Sequence, residues 1–438
     1  MIYELEKLNL YCEKEIIVCN QINKETFECC GKSGKFEVDE IYMKQLKGKY
    51  KYKCKHIISD CLLCQNDKNY HTDIKQCYES IIRIANIFKD RTNGDINLYK
   101  TGDLRSSILK LLFDKRKLNY DINKPDLIKN YREYQWLMES SKGALIFCKD
   151  GFTGNIIQYD KNSYYPSIML NKKLKIPVKE GEFIKLDELP EKFDKVGIYR
   201  CKIDKSGIFE HNYLFRHNSH HFYTNIDMKR AKSLNLSMEL VNDGKENFLY
   251  YSEDKLIQSR DIFEEYIEML FEMKKEYKNK NDDEMNIYIK RFLSALWGVL
   301  CQKREFQYKI DYSKEDEIKN MKDGDEIIKR HRYTENVDKI TVMNKLNPME
   351  TRFGRLKPFL LSMGRYIMSK LIEDDALNGN IVKIHTDGFC VINNGEQNDY
   401  KINNKLGGLK IEKEGNYFIQ NVNKMKKTGK EINIINIL

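Results

Sequence analysis

QYDKNSYYPSIML, residues 158–170, is the stretch on which the reading of this chain turns. An apolar run ends in a carboxylate, Asp160, and two tyrosines, a proline and a serine follow. Upstream, GALIFCKDGFTGNIIQYD (143–160) reads as two β-rich stretches around a glycine-containing turn, with Asp160 at the far end. A second acid stands in a comparable place. NIVKIHTDGFCVIN (380–393) reads as two strand halves around a tight Asp-Gly turn, with Asp387 at the hairpin tip. Taken singly, Asp160 is a cap and Asp387 a turn residue. Taken together, strand ends in one sheet can meet, and two carboxylates forced together repel unless a cation binds between them. Oxygen-liganded Mg²⁺ suits that arrangement, and paired metals serve in-line phosphoryl displacement.

Composition bounds what surrounds this site. With 438 residues, 41% of them hydrophobic, the chain can build two to four packed units. Charged residues reach 32%, yet 11% are aromatic, which excludes a disordered chain. A net charge of +10 is compatible with a polyanionic partner. No apolar run is long enough to span a membrane, and MIYELEKLNLYCEKE lacks a secretory h-region. The expectation is a soluble, intracellular protein with no membrane partner, working in the cytoplasm of its host or producing cell. Cysteines in such a setting give little reason to expect disulfides.

Along the chain, residues 1–68 form a cysteine-containing N-terminal domain with short β-like runs, and 69–143 read mostly helical. ESIIRIANIF shows helical spacing, and Thr101 or Asp103 could cap LRSSILKLLF. Residues 144–260 carry the first acid and an insertion of short strands. At 261–303, DIFEEYIEMLFEMKKEYKNK, a polar turn and MNIYIKRFLSALWGVLCQK predict an antiparallel helical hairpin. Residues 304–400 hold a charged, irregular surface insertion, the helix RLKPFLLSMGRYIMSKLIE and the second acid; 401–438 form a tail. This is the order of an α+β protein.

The helical hairpin supplies the complementary charge. Lys290, Ser294 and Trp297 share one face of its second helix at i, i+4 and i+7, and Lys274 and Lys278 lie one turn apart on the first. Such lysines can form a cationic stripe for a triphosphate, with the Trp297 indole supporting a base. Gly298 would let a ligand approach the backbone. The plainer alternative is a solvated lysine face.

At this point the residues resemble a family. DKNSYYPSIML resembles the first palm motif of B-family DNA polymerases, D-x-x-S-L-Y-P-S-I. KRFLSALWG is similar to their fingers motif K-x-x-x-N-S-x-Y-G, HTDGF to their second palm motif D-T-D-S, and KLGGLKIE to the segment approaching the primer terminus. Motif order and spacing look most like the protein-primed branch of phages, viruses and linear plasmids. The resemblance covers roughly residues 140–425. It implies a palm, an antiparallel sheet backed by helices, at 144–260 and 304–400, with fingers at 261–303.

The resemblance also implies roles. Asp160 and Asp387 would hold two Mg²⁺ or Mn²⁺ ions. The backbone around Asn162, Ser163 and Tyr164 would cradle the triphosphate, with the Tyr164 side chain packing, and Tyr165 would stack under the sugar and exclude a 2′-hydroxyl. Lys290 would bind the triphosphate, with Lys274 where the family usually has Arg and Lys278 where it often has Lys. Ser294 and Trp297 would complete the nucleotide site; Gly298, Thr386 and Lys410 would touch DNA. Ser294, Ala295 and Trp297 depart from the family's Asn, Ser and Tyr, and Tyr164 from its Leu. His385 replaces its first Asp, and Gly388 its Ser.

The N-terminal third departs most. Asp73 has Asn69, not Tyr, four residues before it, and no D-x-E precedes it. Residues 69–143 would then be an exonuclease remnant, without proofreading. Cys61 and Cys64 have metal-knuckle spacing, which no second C-x-x-C answers, and with Cys54 could hold a structural Zn²⁺; small buried thiols are the alternative. The tail after Lys410 is shorter than the family's thumb, which predicts low processivity. The resulting expectation is a template-directed DNA polymerase, its partners primer-template DNA, deoxynucleotides and a terminal protein or accessory replication subunit. Two other readings stay open: a template-independent or protein-priming nucleotidyltransferase on the same palm, and a decayed, nucleic-acid-binding replication subunit.

Overall fold

The structure, a computed structural model, describes residues 20–21, 26–29, 32–35, 74–94, 96, 104–115, 125–204, 212–311, 322–395 and 400–428. Cys54, Cys61, Cys64, Asn69, Asp73, Thr101 and Asp103 therefore lie outside the described residues, and with them the zinc expectation and the residues on which the exonuclease reading turned. Helices are numbered α1 (Ile74–Arg91), α2 (Leu104–Lys115), α3 (Tyr131–Ser140), α4 (Tyr164–Met169), α5 (Asn225–Ser233), α6 (Ser259–Asn279), α7 (Asp283–Leu300) and α8 (Leu356–Leu371). Among the described residues, no helix is long and apolar enough to cross a membrane.

The chain divides into two compact units, each made of two segments. The first comprises Met1–Leu118 and Phe263–Val299. There α6 and α7 make the expected hairpin. Asn281, at φ 53°, reverses the chain, a conformation asparagine tolerates. Asp282 then accepts a hydrogen bond from the Met285 N–H at 3.0 Å, satisfying one of the open donors of α7. Tyr266, Ile267, Leu270, Met285, Ile289 and Phe292 are buried along the hairpin. Helix α1 packs on it: Phe88 stacks on Phe292 at 4.7 Å, and the Arg83 guanidinium grips Asp282 and Glu284 at 2.6 and 2.7 Å.

The second unit comprises Asn119–Ile262 and Leu300–Leu438. Its largest sheet has six strands, numbered β1 (Ile146–Cys148), β2 (Phe152–Lys161), β3 (Ile381–His385), β4 (Gly388–Ile392), β5 (Leu409–Asn421) and β6 (Lys424–Lys427). The order is β6-β5-β2-β4-β3-β1, with every neighbouring pair antiparallel. The part of the tail through residue 428 thus supplies sheet strands rather than a separate body. Ile156, Val382, Cys390, Tyr417 and Ile419 form a core on one face. The other face packs Tyr159 on Phe389 at 5.3 Å.

Helix α8 is buried nearly all round, as a core helix should be. Two buried arginines of this segment are accordingly paired. Arg355, just before α8, forks onto Glu133 of α3 at 2.9 and 2.8 Å, and Glu133 also accepts from Tyr251 at 2.8 Å. Arg365 forks onto Asp227 of α5. Residues 305–344, read as irregular, instead form a three-stranded antiparallel sheet of Glu305–Asp311, Asp325–Thr334 and Val337–Asn344. One edge strand, DEIIKRHRYT (Asp325–Thr334), is exposed along nearly its whole length, so no apolar alternation marked it as a strand.

Candidate active site

Strand β2 carries Asp160 between the two strands that complete the site. Asp160 pairs in register with Gly388 of β4 on one side and with Lys410 of β5 on the other. Asp387 precedes Gly388 in the turn, and its carbonyl accepts the Lys161 N–H at 2.9 Å. The two acids, far apart in sequence, are thus brought to one end of adjacent strands. The register decides this, since a slip of one residue would send Asp160 to the opposite face.

The turn is not the Asp-Gly turn read from the sequence. His385 pairs with Gly388, so Thr386 and Asp387 are the two turn residues. Thr386 takes φ 60°, a strained choice for a β-branched residue. Gly388 is required for another reason: a Cβ there would lie 2.9 Å from the Tyr159 carbonyl oxygen and 3.5 Å from Asp160 Oδ1. The glycine at the family's serine position matches this close approach of β2 and β4.

The electrostatics at the pair are those of two acids held near one another. Burial, then the Asp160 charge, raises the Asp387 carboxyl above its ordinary range. Lys410 Nζ lies 2.9 Å from Asp160 Oδ2. Burial opposes the charge on Lys410, but its hydrogen bond to Asp160 and the nearby carboxylates win, and its pKa is raised. An ammonium already neutralises one of the acids, and hard carboxylate oxygens suit a divalent cation. No cluster of three or more metal-ligating side chains occurs among the described residues. Two carboxylates completed by substrate phosphates and water are the usual provision for Mg²⁺.

Tyr165 is half-buried, and burial raises its hydroxyl pKa, with Arg365 lowering and Asp387 raising it. It therefore lies within electrostatic reach of the second acid. Tyr164 is 3% exposed, and its hydroxyl donates to the Gly364 carbonyl at 2.6 Å. Its side chain packs α4 against α8 and is not presented to a nucleotide. Ser163 stands at φ 52° before α4 and makes no side-chain cap. Asn162 is engaged by the loop before β5: its N–H donates to Gly408 O and its side-chain amide to Asn404 O. Sequence reasoning missed this engagement, although the Gly407-Gly408 pair was its signal.

In the other unit, Lys278, Lys290, Ser294 and Gly298 are exposed on the hairpin, while Lys274 and Trp297 are half-buried. Lys274 lies over the Phe271 ring at 5.6 Å. A Cβ at Gly298 would meet nothing within 4 Å, so no intramolecular contact demands glycine there.

Residues 19–375 match the family described as DNA polymerase type B, organellar and viral. Asp387 and Lys410 lie beyond that match. A DNA polymerase of Kluyveromyces lactis is 25% identical over 306 residues, which cover 64% of this chain and 28% of the relative. Phi29 DNA polymerase, complexed with primer-template DNA and incoming nucleotide substrates, superposes with a TM-score of 0.54 at 14% identity. The same polymerase with single-stranded DNA gives 0.56 at 12% identity. These alignments cover 85% and 86% of this chain and 62% of that polymerase, and they show a shared fold. The chain belongs to the organellar and viral family of type B DNA polymerases.

Proposed function

We propose that this chain is a template-directed DNA polymerase that extends a primer 3′-hydroxyl with deoxynucleotides, using Mg²⁺. The observation that carries the reading is the placement of Asp160 and Asp387 at one end of adjacent strands, with Lys410 against them. Asp160 and Asp387 would hold the metal, which when bound neutralises phosphoryl charge and lowers the pKa of the attacking hydroxyl. Lys410 then turns from Asp160 to a phosphate of the primer strand. The Tyr165 ring closes the space beside the sugar, and Thr386 borders the primer terminus. Ser163 lies along the triphosphate. On the hairpin, the proposed roles are phosphate contact for Lys274, Lys278 and Lys290, base support for Ser294 and Trp297, and DNA approach at Gly298. Family membership and the fold shared with a polymerase solved with primer-template DNA support the reading.

Primer extension tests it. Asp160→Asn and Asp387→Asn should each lower incorporation about 100-fold or more, because each removes charge stabilisation at the reacting phosphate. Wild-type extension by either variant would refute the site. Product without template would favour a template-independent transferase, and label on a protein hydroxyl would favour protein priming. Tyr165→Ala should admit ribonucleotides; unchanged sugar selectivity would remove that role from Tyr165.

A further inference from the structure

Asn162 stands two residues after Asp160, yet its polar groups are turned to the loop 403–408. Its N–H donates to Gly408 O at 2.8 Å, and the Gly407 N–H donates to Asn162 O at 2.8 Å. The side-chain amide donates to Asn404 O at 3.2 Å and Lys405 O at 3.4 Å. The neighbouring Lys161 ammonium donates to Gly407 O at 3.1 Å. The loop is also confined sterically. Gly407 takes φ +72°, and a Cβ there would lie 2.7 Å from the Ser167 side chain. At Gly408 a Cβ would meet Asn403 Oδ1 at 2.1 Å. Two residues beyond this junction is Lys410.

We infer that Asn162 is a positioning residue for Lys410, and through it for the primer strand, rather than a contact of the incoming nucleotide. Its backbone N–H is already bonded to Gly408, so it does not reach a triphosphate. Its amide donates to two carbonyl oxygens of the loop, a role a carboxylate could not fill. The junction ties the segment that begins with Asp160 to the strand that carries Lys410, so their spacing is held from both sides. The inference rests on the polymerase reading and on Lys410 as the primer contact.

The test uses the full chain and a labelled primer-template. Affinity for DNA is read by fluorescence anisotropy without nucleotide, and KM for deoxynucleotide by steady-state extension. Asn162→Ala should weaken DNA binding about tenfold, the scale of a lost hydrogen-bonded anchor, and leave nucleotide KM unchanged. The double variant with Lys410→Ala should bind DNA no worse than Lys410→Ala alone, because both act through one contact. Lys161→Met, which removes a half-buried ammonium while keeping most of the side-chain volume, should shift DNA affinity in the same direction and decides the matter if Asn162→Ala does not fold. A raised nucleotide KM with unchanged DNA affinity, or additive losses in the double variant, would overturn the inference. Absence of any extension by the wild-type chain would instead overturn the polymerase reading beneath it.

Discussion

Asp387 shows what it costs to bury an acid beside another acid. Burial and the Asp160 charge hold its folded pKa above the ordinary 3.8. The folded state therefore keeps this proton more tightly than the unfolded chain does. Stability contributed by Asp387 is present below 3.8 and falls as pH rises through the folded value. At neutral pH without metal, Asp387→Asn should melt higher than wild type, and the advantage should vanish in acid. Calorimetry across pH checks this; a lower melting temperature for the variant at pH 7 would contradict it. Added Mg²⁺ should raise the melting temperature of the wild type more than that of the variant.

Among the elements, α8 and its partners hold the floor beneath the site. The Arg355–Glu133 pair is 1% and 0% exposed, so neither charge can be left alone. Glu133→Gln should cost about 3–5 kcal/mol in denaturant unfolding, and replacing both partners by apolar residues of similar volume should restore most of the loss. A single variant within about 1 kcal/mol of wild type would show that solvent reaches the pair. Neither partner stood out in the sequence, because a buried ion pair joins distant residues and leaves no local pattern. Asp160 and Asp387 were legible because each closes an apolar run with an acid. The hairpin helices were legible from their period and polar turn. The sheet over 305–344 was hidden by its charged strands, and the reason for Gly388 lay in the distance between two backbones.

At the scale of the whole molecule, net charge +10 favours a polyanion. On the three-stranded sheet, Lys309 and Lys339 stand directly opposite each other on neighbouring strands. Like charges in that position disfavour the isolated sheet, so a polyanion would relieve them. Affinity for primer-template should therefore fall steeply with salt. A footprint of about six phosphate contacts loses about 10³-fold between about 50 and 200 mM. Binding indifferent to salt would exclude a phosphate-dominated interface.

The position of β2 in its sheet has a consequence for how the chain is made. β2 is finished near residue 161, but both of its neighbours come from residues 388–421. A ribosome moving from one end must hold back pairing until most of the sequence has emerged. During that interval both edges of β2 present open amides and carbonyls, a template for association between nascent chains. Production in cells should accordingly be limited by how long this strand waits, and slower translation upstream of β4 should lower the soluble yield.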